Sequence, residues 1–237
     1  MLSKSTTETY NLLAKTYEKD IDMDSPFNAD YERPAMMKQI PERLSGVRVL
    51  DAGCSAGWYS EALADRGANV TGIDISKEMI NTAKRRLKGK AAVLCHDLEK
   101  ALPFPDHEFD IIVSSLTLHY LKDWENTFTE FQRVLKPNGM FLFSTHHPFM
   151  DFTRFNCDNY FQKNLLIDKW NKPGITIDVQ FYRRALQDII SVTSHFFSIE
   201  KLIEPQPEEA FKEKNPDSYH YLMTNPHFLI IQARVRN

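Results

Sequence analysis

Apolar residues between residues 47 and 146 alternate between short continuous runs and helical spacing. The continuous runs lie at Val47–Leu50, Asn69–Ile73, Ala91–Cys95, Phe109–Ser114 and Met140–Ser144. A continuous apolar run is typical of a strand that is buried on both faces, as in a parallel sheet covered by helices. These segments therefore predict five parallel strands.

Between these runs, apolar residues recur three and four positions apart, which predicts amphipathic helices. The helices are predicted over Trp58–Asp65, Lys77–Leu87 and Trp124–Leu135, and Ser76 is a favourable N-cap for the second of them. Strands and helices in alternation, joined by right-handed crossovers, form a doubly wound α/β sheet with helices on both faces.

The pattern changes after the fifth predicted strand. Phe149–Trp170 is rich in aromatic residues but has no clean period, which predicts a lid-like insertion. Further strands are predicted over Ile175–Tyr182, Phe197–Ile203 and His227–Val235, with a helix over Ala185–Thr193. Pro205 and Pro207 predict a rigid turn before the last strand.

We therefore expect a Rossmann-like, mostly parallel sheet of seven strands. A single domain is predicted over 1–237. It divides into an N-terminal helical cover (1–45), a core (46–147), the lid region (148–185) and a C-terminal completion of the sheet (186–237).

Composition excludes some classes of protein. The chain has 29 Lys and Arg against 32 Asp and Glu, a net charge of −3, which disfavours partners held by bulk charge such as nucleic acids or membrane surfaces. Cys54, Cys95 and Cys157 are too few and too far apart for a disulfide framework. The first residues lack the apolar segment of a secretory signal, and no apolar run is long enough to span a bilayer. We expect a cytoplasmic protein.

Candidate chemistry lies at the ends of the predicted strands, where open α/β sheets bind ligands. The loop Asp51–Gly57 follows the first strand, and Asp74 lies at the end of the second, 21 residues after Gly53. Glycine lets the backbone approach a ligand closely, and a carboxylate can accept hydrogen bonds from both hydroxyls of a ribose. This spacing predicts a ligand that contains a nucleoside.

Two classes of ligand use such an arrangement. A dinucleotide loop has the pattern G-x-G-x-x-G, but here Ser55 and Trp58 occupy the second and third glycine positions, which disfavours a nicotinamide-dependent dehydrogenase. The loop Asp51–Gly57 instead resembles motif I of the class I S-adenosylmethionine (SAM) dependent methyltransferases, with Ser55 in place of the middle glycine. The resemblance continues through His96–Leu98 and Arg133–Met140 and covers roughly residues 45–147.

The sequence is similar to the broad group that includes quinone-biosynthesis and other small-molecule methyltransferases. This resemblance implies SAM as the cofactor and S-adenosylhomocysteine as its product. The implied cofactor-binding residues are Tyr17, Arg33, Asp51, Gly53, Cys54, Ser55, Gly57, Asp74, Ile75, Met79, Asp97, Leu98 and Ser115.

The resemblance also implies individual roles. Asp74 would bind the ribose hydroxyls, and Asp51 would counter the ammonium of the ligand. Ile75 and Leu98 would sandwich the adenine, with Asp97 accepting a hydrogen bond from its amino group. Gly53 and Gly57 would admit the methionyl and ribose portions, and Ser115 would lie beside the methionine arm. Tyr17 would close over the cofactor, while Tyr31 and Arg33 would reach its carboxylate.

Methyl transfer from a sulfonium is an in-line displacement, so the protein mainly orients the reactants and excludes water. A base is needed only for a weakly acidic hydroxyl or a protonated amine. His119 and His147 are the candidate catalytic residues, facing the transferred methyl group. His146 and His147 are adjacent on a strand and point to opposite faces, so we predict no metal site there.

A small-molecule acceptor is favoured by the aromatic lid region and the modest charge. The alternatives are a tRNA or protein methyltransferase, which would need a basic or peptide-sized groove, and a non-catalytic SAM-binding module. The sequence leaves open the acceptor atom (O, N, S or C) and the oligomeric state.

Overall fold

The structure, a computed structural model, describes residues 5–16, 25–172 and 175–236. Its strands are β1 (Arg48–Ala52), β2 (Asn69–Asp74), β3 (Ala92–Cys95), β4 (Phe109–Ser114), β5 (Leu135–His146), β6 (Asn164–Lys172), β7 (Ile175–Arg183), β8 (Phe197–Ile203) and β9 (Phe228–Val235). The α-helices are α1 (Thr6–Thr16), α2 (Arg33–Met37), α3 (Trp58–Asp65), α4 (Lys77–Leu87), α5 (Glu125–Val134), α6 (Pro148–Arg154), α7 (Leu186–Phe196), α8 (Glu209–Lys214) and α9 (Pro216–Leu222). A π-helical turn spans Asn28–Glu32 and a 3₁₀ turn spans Leu118–Tyr120.

Seven strands form one sheet in the spatial order β3-β2-β1-β4-β5-β9-β8. The five strands from β3 to β5 are parallel, whereas β9 runs antiparallel to both β5 and β8. The prediction of a mostly parallel, doubly wound sheet of seven strands is therefore confirmed. β5 is longer than predicted, because pairing with β4 resumes across the turn at Pro137–Gly139 after a register shift.

Both faces of the sheet are buried. Leu50 and Ile112 belong to the apolar cluster on one face, while their neighbours Val49 and Val113 belong to the cluster on the other. This explains why the predicted strands read as continuous apolar runs rather than alternating ones. In the part of the chain that the structure describes, no helix is long and apolar enough to cross a membrane.

An insertion of α6 and the β6–β7 hairpin separates β5 from α7. Ile177 and Val179 of β7 pack in one apolar cluster with Leu13 of α1, Ala56 and Met79. The segment predicted as an aperiodic lid thus contains a helix and a strand. The cluster holds the hairpin and α1 beside the loop that follows β1.

Between β8 and β9 the predicted turn at Pro205–Pro207 is followed by two short helices that the sequence pattern missed. Asn215 begins α9, since its side chain accepts a hydrogen bond from the Ser218 N–H at 3.1 Å and Pro216 takes the first helical position. This cap is the signal that could have predicted the helix. Phe211 of α8 is fully buried in a cluster with Tyr31.

Candidate functional site

A cavity of about 850 Å³ opens where β1, β2, β3 and β4 end. Its walls come from the loops after these strands, from α1, from α6 and β6 of the insertion, and from α9. Small-molecule sites occupy roughly 300–1,000 Å³, so this cavity has room for a cofactor together with an acceptor.

Most of the predicted site residues line this cavity. They are Arg33, Asp51, Gly53, Cys54, Ser55, Asp74, Ile75, Asp97, Leu98, Ser115 and His119. Gly57, Met79 and His147 are not among the lining residues. Tyr17 lies outside the described residues.

The loop after β1 has a left-handed backbone at two lining positions. Gly53 has a φ of +86°, and a Cβ added there would lie 2.2 Å from Oγ1 of Thr117. Glycine is therefore required at this position by the Thr117 side chain, not only by a ligand. Ser55 has a φ of +48°, and its N–H donates to Oδ2 of Asp74 at 3.0 Å. This bond helps to hold the loop with serine in place of the middle glycine.

Two predicted contact residues support the loop from outside the cavity. Gly57 has a φ of +84°, and a Cβ added there would lie 3.1 Å from Cβ of Ala83. Gly57 therefore permits the start of α3 to pack against α4 and does not admit the ligand. Met79 is fully buried, and its sulfur accepts a hydrogen bond from Oγ of Ser55 at 3.5 Å.

Asp51 and Asp74 bring two carboxyl groups to the cavity. Oδ2 of Asp51 accepts from Oγ of Ser60 at 2.6 Å, and Oδ1 of Asp74 accepts from the Ser76 N–H at 2.8 Å. Burial raises the pKa of Asp51 to about 7 and that of Asp74 to about 6, despite these hydrogen bonds. A cationic ligand would favour the ionised form of both groups.

Glu32 is a third acid of the cavity, which sequence analysis missed. Its carboxylate is 1% exposed and accepts three hydroxyl hydrogen bonds, from Tyr59 at 2.8 Å, Ser115 at 2.8 Å and Ser144 at 2.5 Å. Burial raises its pKa, while the hydroxyl donors and the charge of Arg33 oppose that shift. The only signal in the sequence was its position between Tyr31 and Arg33, both of which were predicted to reach the carboxylate of the cofactor.

Arg33 brings a positive charge to the same wall. Its guanidinium carbon lies 4.3 Å from the centre of the Trp58 ring, and both side chains line the cavity. Tyr31, in contrast, is fully buried, and its hydroxyl donates to the carbonyl oxygen of Pro205 at 2.9 Å. The expectation that Tyr31 reaches a ligand carboxylate is therefore wrong.

The far end of the cavity, beyond β2 and β3, combines apolar side chains with the acids Asp97 and Glu99. Ile75 and the largely buried Leu98 provide the apolar surface. Oδ1 of Asp97 accepts from the Glu99 N–H at 2.9 Å, which fixes the carboxylate at the edge of this surface. This arrangement suits a flat heteroaromatic ring.

Histidines line the opposite end of the cavity, where the predicted His119 is present and the predicted His147 is not. His119 and His146 stack with ring centres 4.2 Å apart, and both line the cavity. Nε2 of His147 lies 2.9 Å from Oε1 of Glu204, and its Nδ1 accepts the Phe149 N–H at the start of α6. His147 therefore does not line the cavity but caps the start of α6, whereas its neighbour His146, the last residue of β5, does line it.

Burial keeps His119 and His227 of this end neutral. It holds the pKa of His119 well below its usual range and lowers that of His227 to about 3. A neutral imidazole can orient a ligand by hydrogen bonding but is a weak base when its pKa is so low. Of the two roles considered for His119, orientation is favoured. Within residues 5–16, 25–172 and 175–236, no cluster of His, Cys, Asp and Glu is suited to a metal ion.

Comparison with known proteins agrees with this geometry. Residues 50–143 match the family model of a methyltransferase domain. The SAM-dependent methyltransferase structure from Mesorhizobium loti superposes with a TM-score of 0.69 at 26% identity, covering 91% of this chain and 100% of that one. Fold, site and comparisons together assign the chain to the class I SAM-dependent methyltransferases, and its cofactor is SAM.

Two named relatives are similar over the core. The malonyl-(acyl-carrier protein) O-methyltransferase of Serratia marcescens is 35% identical over 118 residues, 47% of this chain and 46% of the relative. The ubiquinone biosynthesis O-methyltransferase of Coxiella burnetii is 36% identical over 117 residues, 47% of this chain and 50% of the relative. The match to these two enzymes therefore spans about half of each chain.

The residues present fit the cofactor. SAM carries a carboxylate, an ammonium and a sulfonium, so its net charge is positive. The donor set in the cavity has the matching sign, with the three acids Glu32, Asp51 and Asp74 against Arg33 on the same walls. The activated methyl group on the sulfonium is the chemistry that SAM supplies when bound.

Proposed function

We propose that this enzyme methylates a small molecule, held with the cofactor in the one cavity. The observation that carries the proposal is the division of that cavity into an acidic half at the ends of β1 and β2 and an apolar half beside His119 and His146. The walls from α1, β6 and α9 enclose the cavity, which favours a small acceptor over a macromolecular chain.

In the proposed arrangement, the acidic half holds the cofactor. Asp74 accepts the ribose hydroxyls through lone pairs not used by the Ser55 and Ser76 N–H groups. Glu32 and Asp51 counter the ammonium, and Arg33 binds the carboxylate. Gly53, Cys54, Ser55 and Ser115 line the methionine arm, and the adenine lies against Ile75, Asp97 and Leu98.

The apolar half would hold the acceptor. Its wall contains the ring of Phe27 together with Met150, Leu222 and Phe228. Such a wall excludes water from the displacement and strengthens the orienting hydrogen bonds. Both named relatives are O-methyltransferases, which supports an oxygen acceptor.

The direct test combines binding with turnover. We expect calorimetry to show SAM binding in the micromolar range, about −8 kcal/mol. Incubation with methyl-labelled SAM and a metabolite extract should transfer label to molecules of low mass, identified by mass spectrometry. Label in RNA or protein fractions would contradict the proposal, as would SAM binding with no transfer to any fraction.

Asp74→Asn is expected to weaken SAM binding by roughly tenfold to a hundredfold, since a charge-assisted hydrogen bond contributes about 1.5–3 kcal/mol. The amide would also turn an N–H group toward the Ser55 or Ser76 N–H, so some thermal stability should be lost. Calorimetry and a melting curve measure the two effects. Asp178→Asn, on the exposed edge of β7, is the matched control and should change neither. An unchanged dissociation constant would show that Asp74 only supports the loop.

SAM affinity is expected to fall by about tenfold or more between pH 8 and pH 5.5, because the cation prefers ionised acids whose pKa values are about 7 for Asp51 and about 6 for Asp74.

In the absence of ligand, the contribution of these acids to the free energy of unfolding changes with pH in the opposite direction. These carboxyls have unfolded pKa values near ~4, so their stabilising contribution is complete below pH ~4 and lost as pH rises to about 7. Calorimetry and melting curves across this range would test both trends. A flat affinity profile would contradict the assignment, and the Asp51→Asn and Asp74→Asn variants should each flatten it.

A further inference from the structure

His146 faces a buried carboxylate at the inner end of the apolar half. It ends β5, lines the cavity and keeps 15% side-chain exposure. Its Nδ1 lies 3.4 Å from Oδ1 of Asp151 on α6, whose side chain is 3% exposed. Neither of these two atoms makes a hydrogen bond within the described residues, their mutual contact included, so the two groups meet at ion-pair distance.

This pairing determines where the imidazole carries its proton. A carboxylate only accepts, so its approach favours the tautomer in which Nδ1 of His146 carries the hydrogen and Nε2 keeps its lone pair. The ring is held in place by stacking on His119 and by the edge of Phe181, whose centre lies 4.8 Å away. His146 therefore presents a fixed proton acceptor on the side of the ring away from Asp151.

We propose that His146, oriented by Asp151, accepts the proton of a weakly acidic aromatic hydroxyl, and that a phenol is the methyl acceptor. The inference rests on the proposed small-molecule methyl transfer and names its acceptor. As the oxygen–methyl bond forms, the carbon–sulfur bond breaks with its electron pair left on sulfur, and the hydroxyl proton passes to Nε2 of His146. The products are a methyl aryl ether, S-adenosylhomocysteine and an imidazolium that returns the proton to water.

The charges around the site distinguish a phenol from a carboxylate acceptor. A carboxylate is ionised at neutral pH, needs no base and would require an unpaired cation. Arg154 lines this wall, but its guanidinium donates twice to Asp168, at 2.9 Å to each oxygen. Lys169, the cation that β6 adds to the cavity, is exposed to solvent. A phenol needs both the base and the aromatic wall that Phe27 and Phe228 provide.

Several ionisable groups face this pair. They are His119 on the 3₁₀ turn, His227 before β9, His147 before α6, Arg154 at the end of α6, and Arg184 after β7. His119 and His227 stay neutral at working pH because burial lowers their pKa values. Asp151 is the acid that faces His146. Asp151 is a positioning residue, since it acts through His146.

The first test needs no cofactor. Nitrogen-15 NMR of histidine-labelled protein should show His146, assigned by loss of its signal in His146→Gln, as the Nδ1–H tautomer. Asp151→Asn should shift that signal toward the other tautomer. His195→Gln, on the exposed side of α7, is the matched control and should leave the His146 signal unchanged. An Nε2–H tautomer in the unmodified protein would overturn the proposal.

The second test compares two phenols, 4-methylphenol and the more acidic 4-nitrophenol, at pH 7.5 with saturating SAM. His146→Gln should lower kcat with 4-methylphenol by about 10²–10⁴-fold and with 4-nitrophenol by far less, because the latter is already largely ionised. Asp151→Asn should show the same selectivity with a smaller loss, and SAM affinity should be unchanged in both variants.

Three outcomes would overturn the assignment. Equal losses with both phenols would make His146 a packing residue. Methylation of benzoate but of neither phenol by the unmodified enzyme would refute the acceptor class. SAM binding without turnover of either phenol, alongside transfer to another small molecule, would refute the phenol and leave the proposed function intact. Failure of SAM binding itself would instead refute the proposed function, and the NMR result would still decide whether the pair exists.

Discussion

Gly53→Ala is expected to abolish measurable SAM binding. The alanine Cβ would lie 2.2 Å from Oγ1 and 2.4 Å from Cγ2 of Thr117, so either the loop or the Thr117 segment must move. Overpacking of this kind costs about 1–3 kcal/mol, and the left-handed φ adds roughly 1–2 kcal/mol for a residue with a Cβ. Because both segments line the cavity, the displacement falls where the cofactor binds. Calorimetry would show the loss, and a melting curve would report the folding cost.

Gly46→Ala is the matched control for this prediction. Gly46 has a similar φ of +79°, but a Cβ there would have no neighbour within 4 Å. It therefore shares the backbone strain without the collision, and should lower the melting temperature while leaving SAM affinity intact. Adding Thr117→Gly to Gly53→Ala should recover part of the binding. Normal affinity in Gly53→Ala alone would show that the loop adapts without cost to the site.

Glu32→Gln is expected to raise the dissociation constant for SAM by about thirtyfold or more, since removing one partner of a buried charge pair costs roughly 2–5 kcal/mol. The amide keeps the size of the side chain. Its carbonyl oxygen can still accept from the hydroxyls of Ser115 and Ser144, which share one oxygen of Glu32, and its NH2 group can donate to the hydroxyl oxygen of Tyr59. Ligand-free stability should therefore change little or rise, because a buried charge is removed. The rise in melting temperature on adding SAM should largely disappear.

The control for Glu32→Gln is Glu130→Gln, a half-buried glutamate that binds Arg133 away from the cavity. It should lower ligand-free stability and leave the dissociation constant unchanged. If Glu32→Gln instead lowered stability and bound SAM normally, the carboxylate would be a structural anchor for Ser115 and Ser144 and not a cofactor ligand.

The sequence predicted best those elements whose signals are local. β4 has the predicted limits because its continuous apolar run is buried on both sides. α4 also has its predicted limits because the Ser76 side chain accepts from the Met79 N–H and caps it. β6 was missed because Leu165 and Ile167 are exposed, so the positions of its apolar residues do not indicate which side of the strand is buried. A two-stranded hairpin with one face open lacks the pattern of a central strand.

The residues of the site were likewise predicted where chain order alone places them, and missed where packing places them. Asp51, Asp74 and Ser115 were found because the rule that ligands bind at strand ends requires only chain order. Glu32 was not, since its burial depends on a π-helical turn packing against the ends of two strands. His147 was predicted in place of His146 because the sequence does not show which of these two neighbouring residues faces the cavity. His146 shares a strand face with Ser144, whose contact with Glu32 marks the side on which the cavity lies, and that contact exists only in the folded chain.

The excess of buried acid over base in the cofactor half has a consequence for turnover. SAM has a net charge of about +1, whereas S-adenosylhomocysteine has lost the sulfonium charge and is neutral overall. Glu32, Asp51, Asp74 and Asp97 are opposed by Arg33 alone among the charged groups proposed to bind the cofactor. The site therefore attracts the reactant more strongly than the product at neutral pH. The same acids that capture the cofactor thus reduce inhibition by its product, and this selectivity should fade as the carboxyls are protonated.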